Sequence, residues 1–338
     1  MKGFSIIIVT WNALNHLKNY LPSVVETEYP DFEIIIADNA SDDGSKQWIK
    51  STYPDVKIAT FDRNYGYCGG NNRAVPFTEK EILLFLNNDV RVDKNWLHGI
   101  NKAFKDDMTA AVQPKMLSDK EPEKFEYAGA AGGFIDKYGY PFCRGRIFEE
   151  VEKDEGQYDN NRNLFWASGA ALAIRKDLFR ETGGFDEDFE FHMEEIDLCW
   201  RLQNLGYQIG YAPDSVVYHL GGGSLPMGSP RKVYYNFRNS LFMLWKNYSS
   251  FSLRKRFGIR ILLDIVAAWK ALAQGKPKEW WAVAKAHLHF LKDLGKVSRK
   301  RAYLQKQRVN KDDPDAMLNF SIIWQHFLKA VKKFKNLP

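Results

Sequence analysis

The run Ser5-Ile6-Ile7-Ile8-Val9-Thr10-Trp11-Asn12 constrains the fold of this chain more than any other stretch. Its four consecutive β-branched residues read as a fully buried strand, with polar Thr10 and Asn12 where that strand leaves the sheet. Three more strands are predicted over Phe32 to Ala37, Val56 to Phe61 and Glu81 to Leu86. Amphipathic segments between them predict helices over Leu14 to Val25, Lys46 to Tyr53, Gly70 to Phe77 and Trp96 to Phe104. Strands alternating with helices imply an α/β fold with a mostly parallel sheet and right-handed crossovers. In such sheets ligands bind at the carboxyl ends of the strands.

Every one of these strands ends in a polar cluster, and all four clusters are expected on one edge. Asp38 opens the stretch DNASDDGS at 38–45 and can accept a hydrogen bond from the N3–H of a uracil or thymine ring; the alternative is a turn-forming Asx residue. Residues 64–72, NYGYCGGNN, read as a glycine-rich turn into a helix that brings backbone N–H groups against phosphate. Asn64, Gly70 and Asn72 are its candidate nucleotide contacts. The stretch is neither GxGxxG nor GxxxxGK[ST], so it is no dinucleotide fingerprint and no P-loop. Asn87-Asn88-Asp89 ends the fourth strand. Asp89 suits Mg²⁺ or Mn²⁺, which take oxygen ligands and diphosphate oxygens, and Asn88 beside it is a further nucleotide candidate. His219 ends another strand next to Gly221-Gly222-Gly223 and is a candidate second metal ligand; a structural histidine is the alternative.

Residues 185–201, FDEDFEFHMEEIDLCWR, gather Asp186, Glu187, Asp188, Glu190, Glu194, Glu195 and Asp197 ahead of an apolar helix. Close carboxylates repel and raise each other's pKa, so this density calls for a cation, a proton or a basic partner. The alternative is a helix N-terminus dressed with acids that favour the positive end of the dipole. Asp197 and Arg201, four apart, are spaced to pair.

With these residues the chain resembles the family 2 glycosyltransferases, inverting enzymes of the GT-A fold, in their bacterial rhamnosyltransferase-like branch. The resemblance covers residue 4 to about 246. It rests on TWN at 10–12, DNASDDGS at 38–45, NYGYCGGNN at 64–72, LNND at 86–89, GGFDEDF at 183–189, EEIDLCWR at 194–201 and YHLGGGS at 218–224. It implies that Thr10, Asn12, Asp38 and Asn64 hold the nucleoside, that Asp89 is the last acid of the metal-binding DxD, and that Glu195 is the catalytic base. Glu194 is a second candidate at the catalytic position, with capping or acceptor contact as its other readings. Two departures matter. The DxD is Asn87-Asn88-Asp89, which leaves one carboxylate and makes His219 more important as a ligand. The common Glu-Asp pair is Glu194-Glu195, with an arm longer by one methylene.

The implied reaction moves a sugar from a nucleotide diphosphate donor, best matched by dTDP-L-rhamnose, to a cell-surface or polyprenyl-linked glycan. A divalent ion, Mg²⁺ or Mn²⁺, neutralises the departing diphosphate while a carboxylate takes the acceptor proton. Two other readings compete with this one. A pyrophosphorylase would need a glycine- and arginine-rich loop where Thr10-Trp11-Asn12 stands. A non-catalytic carbohydrate- or membrane-binding protein on the same fold would fit the reduced DxD but has no use for a base.

The 338 residues, 45% hydrophobic, allow about two domains. The expected division is a catalytic domain over 1–230, with its nucleotide half ending near 115, and a basic helical region over 231–338. Cys68, Cys143 and Cys199 form no zinc spacing and no disulfide framework, which fits a reducing cytoplasm. No signal peptide is expected, since a strand begins within a few residues of the N-terminus. The most apolar run, Ile259 to Ala273, is broken by Arg260, Asp264 and Lys270, so no membrane span is expected.

Charge is unevenly spread. From Phe251 onward there are 20 Lys and Arg against 6 Asp and Glu, and before it 28 against 36, so a net +14 tail follows a net −8 body. In the tail Trp280, Val283, Ala284, His287, Leu288, Leu291 and Leu294 recur at helical spacing, as do Phe320, Ile323, Trp324, Phe327, Val331 and Phe334. Basic amphipathic helices of this kind predict a peripheral position on an anionic membrane at its cytoplasmic face. The alternative is packing on the catalytic domain or on a second subunit in a homodimer. No nucleic-acid reader motif is present.

Overall fold

The computed structural model describes residues 1–221 and 228–338; Gly222, Gly223 and Ser224 of the expected YHLGGGS motif lie outside them. The first half alternates β1 (Phe4–Thr10), α1 (Leu14–Val25), β2 (Phe32–Asp38), α2 (Ser45–Thr52), β3 (Lys57–Thr60), α3 (Gly66–Ala74) and β4 (Ile82–Leu86). Then come β5 (Val90–Val92), α4 (Trp96–Ala103) and β6 (Thr109–Ser118), so the expected division near residue 115 falls inside a strand. Four short strands follow: β7 (Gly133–Asp136), β8 (Pro141–Cys143), β9 (Arg146–Ile147) and β10 (Glu150–Val151). The chain continues through β11 (Ala171–Arg175), α5 (Lys176–Glu181), α6 (Glu194–Asn204) and β12 (Gln208–His219). Three long helices, α7 (Pro230–Asn247), α8 (Ser250–Ala273) and α9 (Pro277–Gln307), precede a last strand, β13 (Met317–Leu318).

Among the described residues the main sheet has eight strands in the order β3-β2-β1-β4-β11-β6-β12-β5. The first four are parallel, and their register sets Thr10 opposite Asp38 and Asp38 opposite Thr60. The other half is mixed, because β11 runs antiparallel to both β4 and β6 and β5 antiparallel to β12. The β12–β5 register pairs His219 with Val90. Asp89, the residue before Val90, is thereby carried to a histidine 130 positions away.

The buried strands show why the sheet is covered on both faces. All five residues of β4 are buried; Leu83 and Phe85 enter one apolar cluster while Ile82, Leu84 and Leu86 enter the other. Successive side chains point to opposite faces, and each such side chain contributes about 1.5–3 kcal/mol on burial.

Helix α3 starts four residues earlier than the pattern predicts. Asn64 Oδ1 accepts from Gly66 N at 2.8 Å, and Gly66 (φ +68°) makes the turn at once. Gly70 is therefore inside the helix rather than in a phosphate-facing loop. A Cβ there would lie 2.9 Å from Asn39 Nδ2 and 3.0 Å from Val9 Cγ1, so its missing side chain lets α3 lie close on β1 and β2.

The acid-rich loop 185–193 has its partner within the same chain. Asp186 meets Lys246 and Lys300, each at 2.5 Å, Asp188 meets Lys300 at 2.6 Å and also Lys296, and Glu187 meets Arg73 at 2.7 Å. Two basic residues of the tail, Lys296 and Lys300, thus serve to hold this loop. The stretch Phe320 to Phe334 is not the helix its spacing predicts. Ile322 N donates to Asp136 Oδ2 at 2.8 Å and Phe334 N to Glu152 Oε1 at 3.0 Å, so the segment is tied at both ends. It follows β13 and holds a single π-helical turn at Trp324–Leu328 and the start of a 3₁₀ turn at Phe334–Asn336. β13 pairs parallel with β7 at the edge of the small sheet β10-β9-β8-β7-β13. No helix among the described residues is long and apolar enough to cross a membrane.

Candidate active site

At the parallel end of the sheet, Thr10 and Asp38 are side by side and fully enclosed. Asp38 Oδ1 accepts from Ser41 N at 3.1 Å, and the Lys46 ammonium stands 3.5 Å from Oδ2. Thr10 Oγ1 and Asp38 Oδ2 are buried yet make no hydrogen bond among the described residues. Such orphaned atoms are uncommon, because an unmade bond to a buried polar group costs about 1–3 kcal/mol. Asn12, in the left-handed region (φ 48°), accepts from Asp42 N at 2.9 Å and so shapes the 38–45 loop. Asn64 is exposed at the rim. Asn72 points elsewhere: its amide donates to Phe185 O (2.8 Å) and accepts from Phe185 N (2.9 Å), which fastens the acid-rich loop to α3. Gly70 and Asn72 are thus engaged by the protein itself.

On β12, four strands from β1 in the sheet order, His219 Nε2 lies 3.2 Å from Asp89 Oδ1, and its Nδ1 lies 3.3 Å from Glu126 Oε1. Burial alone would drive the imidazole's pKa down and the Asp89 carboxyl's up. The contacts with Asp89 and Glu126 outweigh it, pushing His219 up to about 10 and holding Asp89 below its ordinary value. Asn87 Nδ2 is 3.5 Å from the same Nε2, and half-buried Asn88 separates it from Asp89.

With the proton displaced from Nε2, these groups would suit a hard divalent ion. Neighbouring ligands on an octahedral ion with bonds of ~2.1 Å are ~3 Å apart, close to the Asp89–His219 separation. Glu126 on the far nitrogen is the outer partner that fixes a ligating imidazole's orientation. No group of three His, Cys, Asp or Glu among the described residues is arranged to hold a metal, so further ligands would be diphosphate oxygens and water. Glu126 was not foreseen. It carries no motif and reaches the site because its N–H bonds Met116 O at 2.9 Å, beside β6.

Glu194 and Glu195 open α6. One oxygen of each, Oε2, is buried without a hydrogen bond. Burial pushes Glu195 up to about 7; burial and the neighbouring Glu195 charge push Glu194 well above the ordinary carboxyl range. Burial thus favours the protonated form at this site, and the two carboxyls titrate as a coupled pair. The segment Ser168 to Ala170 joins this pair to the Asp89 turn. Ala170 O accepts from Asn87 N at 3.0 Å, while a Cβ on Gly169 would sit 3.7 Å from Glu195 Cβ. Tyr67 Oη donates to Gly169 O at 2.7 Å and closes the same wall.

The entry to α6 is strained. His192 (φ 66°) and Met193 (φ 74°) are consecutive non-glycine residues in the left-handed region, costing about 1–3 kcal/mol each. Asn239 Nδ2 holds them by donating to Phe191 O (2.7 Å) and His192 O (3.0 Å). One turn into the helix, Asp197 is fully buried and bound by Arg201 Nε (2.9 Å), Lys246 Nζ (2.9 Å) and Asn247 Nδ2 (2.7 Å). The foreseen Asp197–Arg201 pair is present; the two partners on α7 had no sequence signal.

A mixed α/β sheet of this order, parallel at one end and closed by a helical region, is the GT-A fold of glycosyltransferases. The chain belongs to glycosyl transferase family 2, whose model matches residues 5–183. It is 28% identical over 236 residues to an N-acetylglucosaminyl-diphospho-decaprenol L-rhamnosyltransferase of Mycobacterium tuberculosis, covering 63% of this chain and 75% of that protein. It is 22% identical over 256 residues to the dTDP-rhamnosyl transferase RfbF of Shigella flexneri, covering 72% and 80%. Among solved structures it resembles a Pyrobaculum calidifontis mannosyltransferase in complex with GDP-Man and Mn²⁺. That likeness has a TM-score of 0.53 at 16% identity and covers 92% of this chain and 87% of that one.

Proposed function

We propose that the chain transfers L-rhamnose from dTDP-L-rhamnose, with inversion, to a polyprenyl-linked or cell-surface glycan. The observation that carries the reading is the buried Glu194–Glu195 pair, each with one unbonded carboxyl oxygen, joined through Ser168 to Ala170 to the turn that bears Asp89. Two rhamnosyltransferases among the relatives support the donor sugar, and one of them is named for a lipid-diphosphate acceptor.

In this reading Asp38 Oδ2 and Thr10 Oγ1 bind the base, with Asn12 and Asn64 at its rim and Asn88 toward the diphosphate. Asp89 and His219 hold Mg²⁺ or Mn²⁺, which when bound stabilises charge on the leaving diphosphate. Glu195 Oε2 takes the acceptor hydroxyl's proton as the oxygen attacks the anomeric carbon from the face opposite the diphosphate. Glu194, keeping its proton, stays neutral beside the base. Ser168 to Ala170, between the two ends, separates base from leaving group.

The test is nucleoside diphosphate release from a panel of donors with Mg²⁺ or Mn²⁺ and a polyprenyl-diphosphate glycan. Turnover is expected with the dTDP donor; no turnover with any donor would overturn the reading. Binding alone probes the base. Pyrimidine donors should bind, with thymine favoured over uracil by only about 1–3 kcal/mol for its methyl group. Preference for GDP-sugars would remove the Asp38 assignment.

Asp89→Ala is expected to abolish metal-dependent donor binding in calorimetry, leaving an affinity that EDTA does not change. Equal donor affinity of the unaltered chain with and without EDTA would eliminate the metal from the reading.

A further inference from the structure

We propose that the tip of the α8–α9 hairpin, together with the turn Trp324–Leu328, docks on an anionic lipid bilayer. Helix α8 packs inward through Phe257, Arg260, Asp264 and Ala268, all buried. Its outer face nonetheless carries Ile259, Leu262, Val266 and Trp269 at spacings of three, four and three, all exposed. A stripe of that size facing water marks a docking surface. At the tip the stripe widens into an aromatic cluster. Trp269, 58% exposed, lies 6.1 Å from the Trp280 ring, and Trp280 lies 6.3 Å from Trp281, 55% exposed. The Lys270 ammonium sits 4.6 Å from the ring of Phe327, which joins the exposed Phe327 and Leu328 to the same surface.

Charge names the occupant. Between Phe251 and Lys292 there are nine Lys and Arg against two acids. Both acids are paired, Asp264 with Arg260 at 2.8 Å and Glu279 with Lys276 at 3.4 Å. Exposed Lys270, Lys278 and Lys285 therefore put net positive charge on the same two helices as the tryptophans. A second copy of the same face would set like charge against like, whereas anionic headgroups complement that charge and an acyl boundary accepts the aromatic tip. The rest of the tail is excluded from this surface: Phe320 and Phe334 pack on Phe142, and Lys296 and Lys300 are held by the acid-rich loop. This inference does not depend on the donor or the acceptor.

The experiment sediments the full chain with vesicles of phosphatidylcholine alone or mixed with phosphatidylglycerol, at low and high salt. Binding is expected only to the mixed vesicles, weakening as salt rises. The triple change Trp269→Glu, Trp281→Glu, Phe327→Glu is expected to reduce it at least about tenfold, with unchanged circular dichroism and unchanged donor-dependent diphosphate release. A second variant, Lys270→Ala with Lys278→Ala and Lys285→Ala, should retain the tryptophans yet lose the preference for phosphatidylglycerol. Three results would overturn the proposal: no binding at low salt, equal binding by the aromatic variant, or a dimer in light scattering that the aromatic variant dissolves. Loss of diphosphate release with vesicle binding intact would count against the catalytic reading instead.

Discussion

Glu195→Gln is expected to lower kcat by about 10²–10⁴-fold while leaving donor affinity nearly unchanged. The amide keeps the size and polarity of the side chain but cannot take a proton. Direction with pH follows from the same group. Burial raises Glu195 to about 7, and a base works only when deprotonated, so activity should fall as pH drops below about 7 and level off above it. Glu194→Gln should cost less, because Glu194 keeps its proton and the amide is likewise neutral, and should leave the acid limb near its place, since burial sets the Glu195 value. Turnover of the Glu195 variant within a few-fold of the unaltered enzyme would refute the assignment. A larger loss in the Glu194 variant would exchange the two roles.

Lys246→Met should destabilise the fold by about 3 kcal/mol, at the lower end of what removing one partner of a buried ion pair costs. Lys246 is buried between Asp186 and Asp197, and Met keeps its length but not its charge. Lys300 and Arg201 remain beside the two carboxylates, which limits the loss. Urea unfolding measures it, and a change under about 1 kcal/mol would show the network to be dispensable. Acid should act in the same direction. Burial would raise Asp186, but Lys246 and Lys300 hold its pKa far below the ordinary range near 4. Its contribution is then complete above that range and lost as pH falls through the lowered folded value.

The parallel half of the fold was legible because its strands are apolar runs with no alternative. Ile6 to Val9 and Ile82 to Leu86 can be buried only between two layers. The antiparallel half was not, since Ala171–Arg175 is too short and mixed to announce a strand between β4 and β6. Glycines misled at Gly69-Gly70, where they mean close helix packing rather than a loop, and the aromatic spacing after Phe320 mimicked a helix that two buried carboxylates, Asp136 and Glu152, instead pin as a strap. Among site residues, strand-end groups such as Thr10, Asp38 and Asp89 stood out from the core residues before them. Glu126 and Lys246 did not, because what marks them is a partner 93 and 49 positions away, His219 and Asp197.

The strap has a consequence for how the chain is made. β13 is the outer strand of a sheet whose neighbour, β7, is synthesised some 180 residues earlier, and Phe334 lies 5.1 Å from Phe134 and 5.9 Å from Tyr158. While the ribosome is still translating α9, those rings have nothing over them and Asp136 has no Ile322 amide. The parallel strands β1 to β4 can assemble early from neighbours in sequence, as N-terminal units do during synthesis. The middle of the molecule must wait for the segment Met317 to Phe334. A nascent chain stalled in α9 would therefore hold its parallel strands complete and its small sheet open.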